Sequence, residues 1–209
     1  MSELTEEEKA KKEAQRLADI QVEIANARKR LEEGNARFIS DKLDGQLQDS
    51  ARRDHLTGGQ SPFAVILSCA DSRVVPELAF DTGLGELFVL RVAGNVANTS
   101  TIASIEYAIA HLDTRVIVVM GHESCGAVGA AMDGGDNGHN LNHLLAHITP
   151  ALCAAEEGAT KNDIVKSNAK LNAKELHNRS GIISNAVNGK ELEIWSAYYN
   201  LDSGKVDFI

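Results

Sequence analysis

Three short segments of mostly apolar residues constrain the fold of this chain more than any other feature. They span residues 63–69, 86–92 and 115–120, and the third is almost entirely β-branched in its apolar part. Continuous apolar runs of this length are typical of strands that are buried on both faces of a parallel sheet. Residues 99–112, between the second and third runs, have helical periodicity and begin with Thr and Ser. Strands that alternate with helices predict an α/β fold with a mostly parallel sheet flanked by helices.

The C-terminal part of the chain continues this alternation. Residues 140–157 and 163–179 have helical periodicity, and residues 192–201 are predicted to form a late strand. A turn at 202–204 then leads into 205–209, which predicts a C-terminal hairpin. Because 209 residues are enough to build one large core, we expect a single domain overall.

The N-terminal residues differ in composition from the rest of the chain. Thr5 and Glu8 form a capping-box pattern at the start of a long charged helix. An apolar stripe follows at alternating helical spacings, formed by Leu17, Ile20, Ile24, Ala27 and Leu31. We therefore predict an N-terminal helical arm over 1–44 and an α/β domain over 45–209. The stripe alone leaves open whether the arm packs on its own domain or on a second chain.

Composition excludes several classes of partner and compartment. The formal net charge of −9 argues against nucleic-acid binding, and no apolar run is long enough to cross a bilayer. The charged N-terminal segment resembles neither a secretory signal nor a transit peptide, so we expect a cytoplasmic protein without membrane partners. An odd number of cysteines, three in all, argues against a disulfide framework.

Soft metal ligands follow two of the predicted strands. Cys69 comes at the end of the first strand, and His122 and Cys125 follow the third. If these strands are neighbours, their carboxyl ends converge at one edge of the sheet, where sites of α/β folds form. Two thiolates and one imidazole suit zinc, and three protein ligands leave a fourth position open, as in catalytic zinc sites. Cys69 is also followed by an acid and a base, in the pattern Cys-x-Asp-x-Arg.

Each of these residues also has an ordinary structural interpretation. A single cysteine is more often a small buried hydrophobe than a ligand, and a lone His-x-x-Cys pair is common by chance. The combination at two strand ends carries the prediction. We expect Cys153, on the apolar face of a predicted helix, to belong to the core. The remaining histidines, at positions 55, 111, 139, 143, 147 and 177, are expected to be solvated rather than functional, with a proton relay by one of them as the alternative.

Two motifs in this chain resemble the signatures of the β-class carbonic anhydrases. They are CADSR at 69–73 and GHESCGAV at 121–128, and the resemblance extends over roughly residues 34 to 207, including GELFVLRVAGN and SIEYA. It implies the zinc-dependent, reversible hydration of carbon dioxide to bicarbonate and a proton, catalysed by the domain at 45–209. The expected cofactor is one Zn²⁺ per chain, bound by Cys69, His122 and Cys125.

The resemblance also implies roles for the acid and the base. Asp71 would accept a hydrogen bond from the zinc-bound water or hydroxide and orient it toward the substrate. Arg73 would pair with Asp71, keeping the carboxylate ionised and turned away from the metal. The interpretation that competes with these catalytic roles is a plain structural salt bridge.

Two groups within the family differ in the residues around the site. This chain matches the group whose open substrate pocket is lined by Gln, Phe and Tyr, at Gln60, Phe88 and Tyr107, and we expect Gly126 to line the pocket as well. The other group has a Trp, Arg and Tyr trio that holds a regulatory bicarbonate. Arg91 and Tyr199 match two of these positions, but Ile66 stands at the Trp position. We therefore expect no regulatory bicarbonate site of that type. The RNxAN stretch of the family is also altered here, to RVAGN at 91–95.

The resemblance implies a homo-oligomer, either a dimer or a dimer of dimers, with a pocket shared between chains. N-terminal helices of the family wrap the partner, which favours a second chain as the contact of the Leu17–Leu31 stripe. Two alternatives to carbonic anhydrase activity are another zinc enzyme on the same scaffold, similar to carbon disulfide hydrolases, and a non-catalytic zinc-binding protein. A redox thiol protein is not favoured, because Cys69 and Cys125 lack CxxC spacing.

Overall fold

The computed structural model describes residues 5–209, which form one sheet with helices on both faces. The strands are β1 (Ala64–Ser68), β2 (Leu87–Arg91), β3 (Val116–His122), β4 (Glu193–Tyr199) and β5 (Val206–Phe208). The helices are α1 (Glu6–Ile39), α2 (Ser50–Leu56), α3 (Pro76–Ala79), α4 (Thr99–Leu112), α5 (Gly126–Asp133), α6 (His139–Ala146), α7 (Thr149–Cys153), α8 (Lys161–Arg179) and α9 (Gly181–Asn188). A short 3-10 turn, Ala93–Asn95, follows β2.

The sheet order is β2-β1-β3-β4-β5, and every pairing is parallel except that of β4 with β5. This confirms the predicted α/β class, the mostly parallel sheet and the C-terminal hairpin. Every residue of β1 and β3 is buried, whereas β2 lies at an edge and is only half-buried. The apolar runs of β1 and β3 therefore mark the centre of the sheet, where strands have neighbours on both sides and helices on both faces.

Helix α1 packs its apolar stripe against the core of its own chain. Its N-terminus has the predicted capping box between Thr5 and Glu8. The stripe is buried from Ile20 to Leu31, in one cluster with β1 and β3 residues such as Ile66 and Val118. The expectation that a second chain covers this part of the stripe was therefore wrong. Leu17 remains partly exposed, and the part of the helix before Ile20 has no buried residue.

The division of the chain at residue 44 remains a prediction, and residues 1–4 of the predicted arm lie outside the described residues. Within residues 5–209, no helix combines the length and the apolar character needed to cross a membrane.

Two predictions about the region around residue 150 were wrong. The helix predicted over 140–157 is divided into α6 and α7. Pro150 explains the break, since its ring has no N–H to donate and clashes with the carbonyl one turn earlier. Cys153, expected in the core, is exposed at the end of α7, where Ala151 is the buried residue.

Candidate metal centre

Neighbouring strands bring the three predicted ligands together. β1 and β3 pair in parallel, with Ser68 opposite Met120, so their carboxyl ends lie side by side. Cys69 follows β1 directly, His122 is the last residue of β3, and Cys125 caps the N-terminus of α5. The ligand atoms of these three side chains lie within 4.8 Å of one another, and all three residues are buried.

The orientation of the His122 ring leaves one nitrogen for a ligand. The ring is fully buried, and its Nδ1 lies 2.9 Å from the carbonyl oxygen of Glu123. Because a carbonyl can only accept, Nδ1 carries the proton and Nε2 presents a lone pair. This Nε2 has no hydrogen-bond partner anywhere in residues 5–209. A buried, unpartnered imidazole nitrogen beside two thiols fits a zinc ion, for which such a set of donors is typical.

The two thiols differ in their tendency to ionise. Their sulfur atoms are 4.0 Å apart. The Cys125 thiol lowers the pKa of Cys69, which the Gly94 N–H also lowers, while burial opposes them. The same sulfur–sulfur contact, together with burial, raises the pKa of Cys125. One thiolate therefore disfavours the second, and a divalent cation between them would offset both charges.

Asp71 and Arg73 form an ion pair at the side of this centre. The Arg73 Nε and Nη2 donate to the two carboxylate oxygens of Asp71, at 2.9 and 2.7 Å, and the Arg73 backbone N–H donates to Oδ1 at 3.0 Å. The Arg73 guanidinium holds the pKa of Asp71 well below its usual range. Asp71 Oδ2 lies 3.8 Å from Nε2 of His122. An ionised, firmly held acceptor thus lies next to the free ring nitrogen.

Arg91 holds the loop that carries Cys69. Its Nε donates to the carbonyl oxygen of Cys69 at 3.0 Å, and its Nη2 donates to the carbonyl oxygen of Asp71 at 2.6 Å. The sequence placed Arg91 only at a regulatory anion site, so this contact with the loop was missed. Every residue has a backbone carbonyl, so the type of the accepting residue does not reveal such a hydrogen bond. Only the position of Arg91 at the end of β2 could have indicated this contact.

The loop between His122 and Cys125 is also held by hydrogen bonds to other segments. Ser124 has a positive φ of 55°, and its N–H donates to the Asn162 side chain of α8 at 2.9 Å. Glu123 accepts a hydrogen bond from the N–H of Leu201 at 3.0 Å. These contacts fix the path of the backbone between His122 and Cys125.

The predicted pocket residues do not all lie at this centre within one chain. Gly126 does, since it starts α5 directly after Cys125, and a Cβ placed there would meet no atom within 4 Å. The rings of Phe88 and Tyr107 are 6.5 Å apart. However, Phe88 pairs with Val65, whose Cα lies about 13 Å along the strand from that of Cys69 at the usual rise per residue.

The remaining positions singled out in the sequence lie in two other environments. Gln60 is exposed and lines a shallow groove with His55 and Leu56. Ile66 and Tyr199 lie in the same buried cluster, on the face of the sheet that α1 covers.

Comparison with known proteins identifies a family that this chain matches. A family model described as carbonic anhydrase matches residues 64–206. The chain is 39% identical over 183 residues to carbonic anhydrase 2 of Mycobacterium tuberculosis, with 85% of this chain and 88% of that protein covered. It is 36% identical over 185 residues to the carbonic anhydrase of Mycolicibacterium smegmatis, with 86% and 90% covered.

Solved structures agree with this similarity. The β-carbonic anhydrase of Coccomyxa, solved in complex with acetazolamide, has a TM-score of 0.70 and 26% identity, with 77% of this chain and 78% of that chain covered. A tetrameric β-carbonic anhydrase of Sordaria macrospora has a TM-score of 0.67 and 26% identity, with 75% and 85% covered. The match confirms the resemblance that the two motifs carried.

Proposed function

Because the chain belongs to the β-carbonic anhydrase family, we propose that it hydrates carbon dioxide reversibly to bicarbonate and a proton at one zinc ion per chain. Cys69, His122 and Cys125 would hold the ion. The observation that carries this proposal is the buried Nε2 of His122, which has no partner among the described residues and lies beside two thiols. Zinc in such a site makes water nucleophilic near neutral pH.

The contribution of the protein to the reaction is to position and orient groups. Asp71 would accept a hydrogen bond from the attacking water, which directs a lone pair of that water toward the carbon of the substrate. Arg73 would keep Asp71 ionised and prevent it from turning toward the metal, since it occupies both carboxylate oxygens. Gly126 leaves open space beside Cys125, through which a small, apolar molecule could approach.

We also propose that the active form is a homo-oligomer, either a dimer or a dimer of dimers. Phe88 and Tyr107 are distant from the centre of their own chain, so a pocket that contains them needs a second copy. The tetrameric relative from Sordaria macrospora supports this proposal. A cytoplasmic location is part of the same proposal, and the free cysteines of the described chain fit a reducing compartment.

Stopped-flow measurement of carbon dioxide hydration, on protein with a measured zinc content, tests the function. We expect one zinc per chain, and we expect Cys69→Ala to lose both zinc and activity. Carbon disulfide offered as a second substrate separates the two enzyme classes that share such a site. Wild-type protein that binds zinc without hydrating carbon dioxide would contradict the proposal.

A further inference from the structure

Two buried asparagines on α8 form hydrogen bonds with the turn that passes beside the metal centre. Asn168 and Asn172 are fully buried or nearly so, at 0% and 2% exposure. Asn168 donates from Nδ2 to the carbonyl oxygen of Gly94 at 2.8 Å, and Asn172 accepts from the N–H of Ala97 at 2.7 Å. Buried amides with backbone partners on another segment fix the position of that segment relative to the helix.

The direction of these hydrogen bonds is determined by the backbone. A carbonyl oxygen must face an amide nitrogen, so Asn168 presents Nδ2 to Gly94 and Oδ1 to Asn172. Asn172 donates its own Nδ2 to that Oδ1 at 3.0 Å, and also to the Asn168 carbonyl at 2.8 Å. Its Oδ1 is then free to accept from Ala97. The two side chains thus form one directional chain of hydrogen bonds from the N–H of Ala97 to the carbonyl of Gly94.

The turn that these side chains hold contacts the first metal ligand. The Gly94 N–H donates to Sγ of Cys69, with a distance of 3.4 Å from nitrogen to sulfur. This geometry depends on an unusual backbone, because Gly94 and Asn95 have positive φ angles of 70° and 46°. A Cβ at Gly94 would lie 2.7 Å from Cδ1 of Ile148, so this side of the turn packs closely against the Ile148 side chain.

We infer that Asn168 and Asn172 are positioning residues for the metal centre, acting through the Gly94 N–H on the sulfur of Cys69. The inference rests on one part of the proposed function, the binding of a metal ion by Cys69. A hydrogen bond to a thiolate ligand withdraws charge from the sulfur and fixes its direction, and partners of this kind tune metal sites. Helix α8 is therefore part of the metal centre, although it supplies no ligand.

The experiment uses the full chain loaded with Co²⁺, whose thiolate charge-transfer band reports the electron density on sulfur. In Asn168→Ala, we expect this band to move to lower energy, because the Gly94 N–H is no longer held in place and its hydrogen bond to the sulfur lone pairs weakens. In the Zn²⁺-loaded protein, we expect release to a chelator at fixed pH to become about 10-fold faster, as is typical for lost partners of metal ligands. Asn172→Ala breaks the outer link of the chain and should change both readouts in the same direction by less.

Leu176→Val is the matched control. Leu176 is a fully buried residue of the same helix, but it packs in a cluster that does not contain Cys69 or Cys125. This substitution should lower the stability of the protein without moving the cobalt band. An unchanged band in both asparagine variants, with the wild-type band present, would overturn this inference and leave the proposed function standing. A wild-type chain without any thiolate band would overturn the proposed metal centre and this inference together. Neither measurement uses carbon dioxide, so a lack of hydration activity would not affect the result.

Discussion

At the scale of single residues, the carboxylate of Asp71 is held more firmly than a surface carboxylate usually is. Its side chain is 17% exposed and receives three hydrogen bonds from Arg73. A carboxylate that only accepts, in a fixed direction, is suited to orient a water molecule. The catalytic role that we propose for Asp71 depends on this property more than on its charge alone.

Asp71→Asn should reduce the turnover number for carbon dioxide hydration by about 100-fold or more, because positioned acid–base groups contribute at least that much. The amide presents N–H groups where only an acceptor can orient the water. Zinc content should stay at the wild-type level, since Asp71 is not one of the three ligands. Stopped-flow kinetics with metal analysis checks both parts, and full activity in this variant would remove Asp71 from the mechanism.

A second prediction at this scale concerns regulation and rests on Ile66. Its side chain is fully buried and offers no hydrogen-bond donor where one group of the family has a Trp N–H. Loss of one donor to a desolvated anion costs about 1.5–3 kcal/mol, or roughly 10- to 100-fold in affinity. We expect hydration activity at fixed pH and ionic strength to fall without a sigmoidal step as bicarbonate increases. A steep, cooperative loss at millimolar bicarbonate would contradict this expectation.

The sequence predicted the three clustered residues of the candidate metal centre but not the contacts that hold them. Cys69, His122 and Cys125 could be recognised because their residue types carry the chemistry and their places follow strand ends. Gly94 contacts the Cys69 sulfur through its backbone N–H, and Arg91 donates to the backbone carbonyls of Cys69 and Asp71. Because every residue has these backbone groups, residue type does not indicate such contacts. These contacts depend on which loops lie side by side, and that is known only from the assembled sheet.

At the scale of elements, α1 shows that an apolar pattern can predict a helix without predicting what the helix packs against. The apolar spacing correctly predicted the helix and its apolar face. It could not identify the surface that covers this face, because a core and a partner chain present the same apolar environment. In the same way, the apolar pattern around Cys153 predicted one continuous helix, whereas the structure divides it just before Pro150 and leaves Cys153 exposed.

Leu31→Ala should lower the free energy of unfolding by about 2–5 kcal/mol, because it opens a cavity at a fully buried site between α1 and the sheet. Val22→Ala is the control on the same helix, since Val22 is 60% exposed, and should change stability by less than about 0.5 kcal/mol. Urea unfolding at one protein concentration measures both. Equal effects would mean that α1 does not pack on its own chain as described.

The C-terminal end of α1 is tied to the next loop by Asp81, whose carboxylate is nearly buried. It accepts hydrogen bonds from Arg37 Nε at 2.5 Å and from the Asp44 N–H at 3.0 Å. Burial would raise the pKa of Asp81, but these donors outweigh it and leave the pKa lowered. A lowered folded pKa means that the stabilisation is complete above the unfolded value, about 3.9, and is lost as the pH falls through the folded value.

Asp81→Asn should therefore be less stable than the wild type at neutral pH. The difference in the free energy of unfolding should shrink as the pH falls below about 4, where Asp81 of the unfolded wild type takes up a proton before that of the folded protein does. Urea unfolding of both proteins across the acid range checks this. A difference that stays constant with pH would show that the ionisation of Asp81 contributes nothing.

At the scale of the whole molecule, the proposed oligomer makes a prediction that separates two functions of α1. Deletion of residues 1–19 removes no buried residue of the described chain and leaves Ile20 to Leu31 in the core. We expect this variant to keep its fold, shown by a single cooperative urea-unfolding transition, but to dissociate at a higher protein concentration than the wild type. Sedimentation of both proteins measures the difference, and a full-length chain that is monomeric at micromolar concentration would contradict the proposed assembly.

The order of the strands also has a consequence for synthesis of the chain. Cys69 directly follows β1 and His122 ends the neighbouring strand β3, but β2 and α4 come between them in sequence. Parallel neighbours of this kind meet only after the whole crossover has folded, which is slow compared with local helix formation. On the ribosome, a nascent chain that ends before residue 122 has only one of the three candidate ligands. If the chain binds zinc as proposed, the complete site forms only after the crossover has closed, and loading of the ion can serve as a late marker of correct folding.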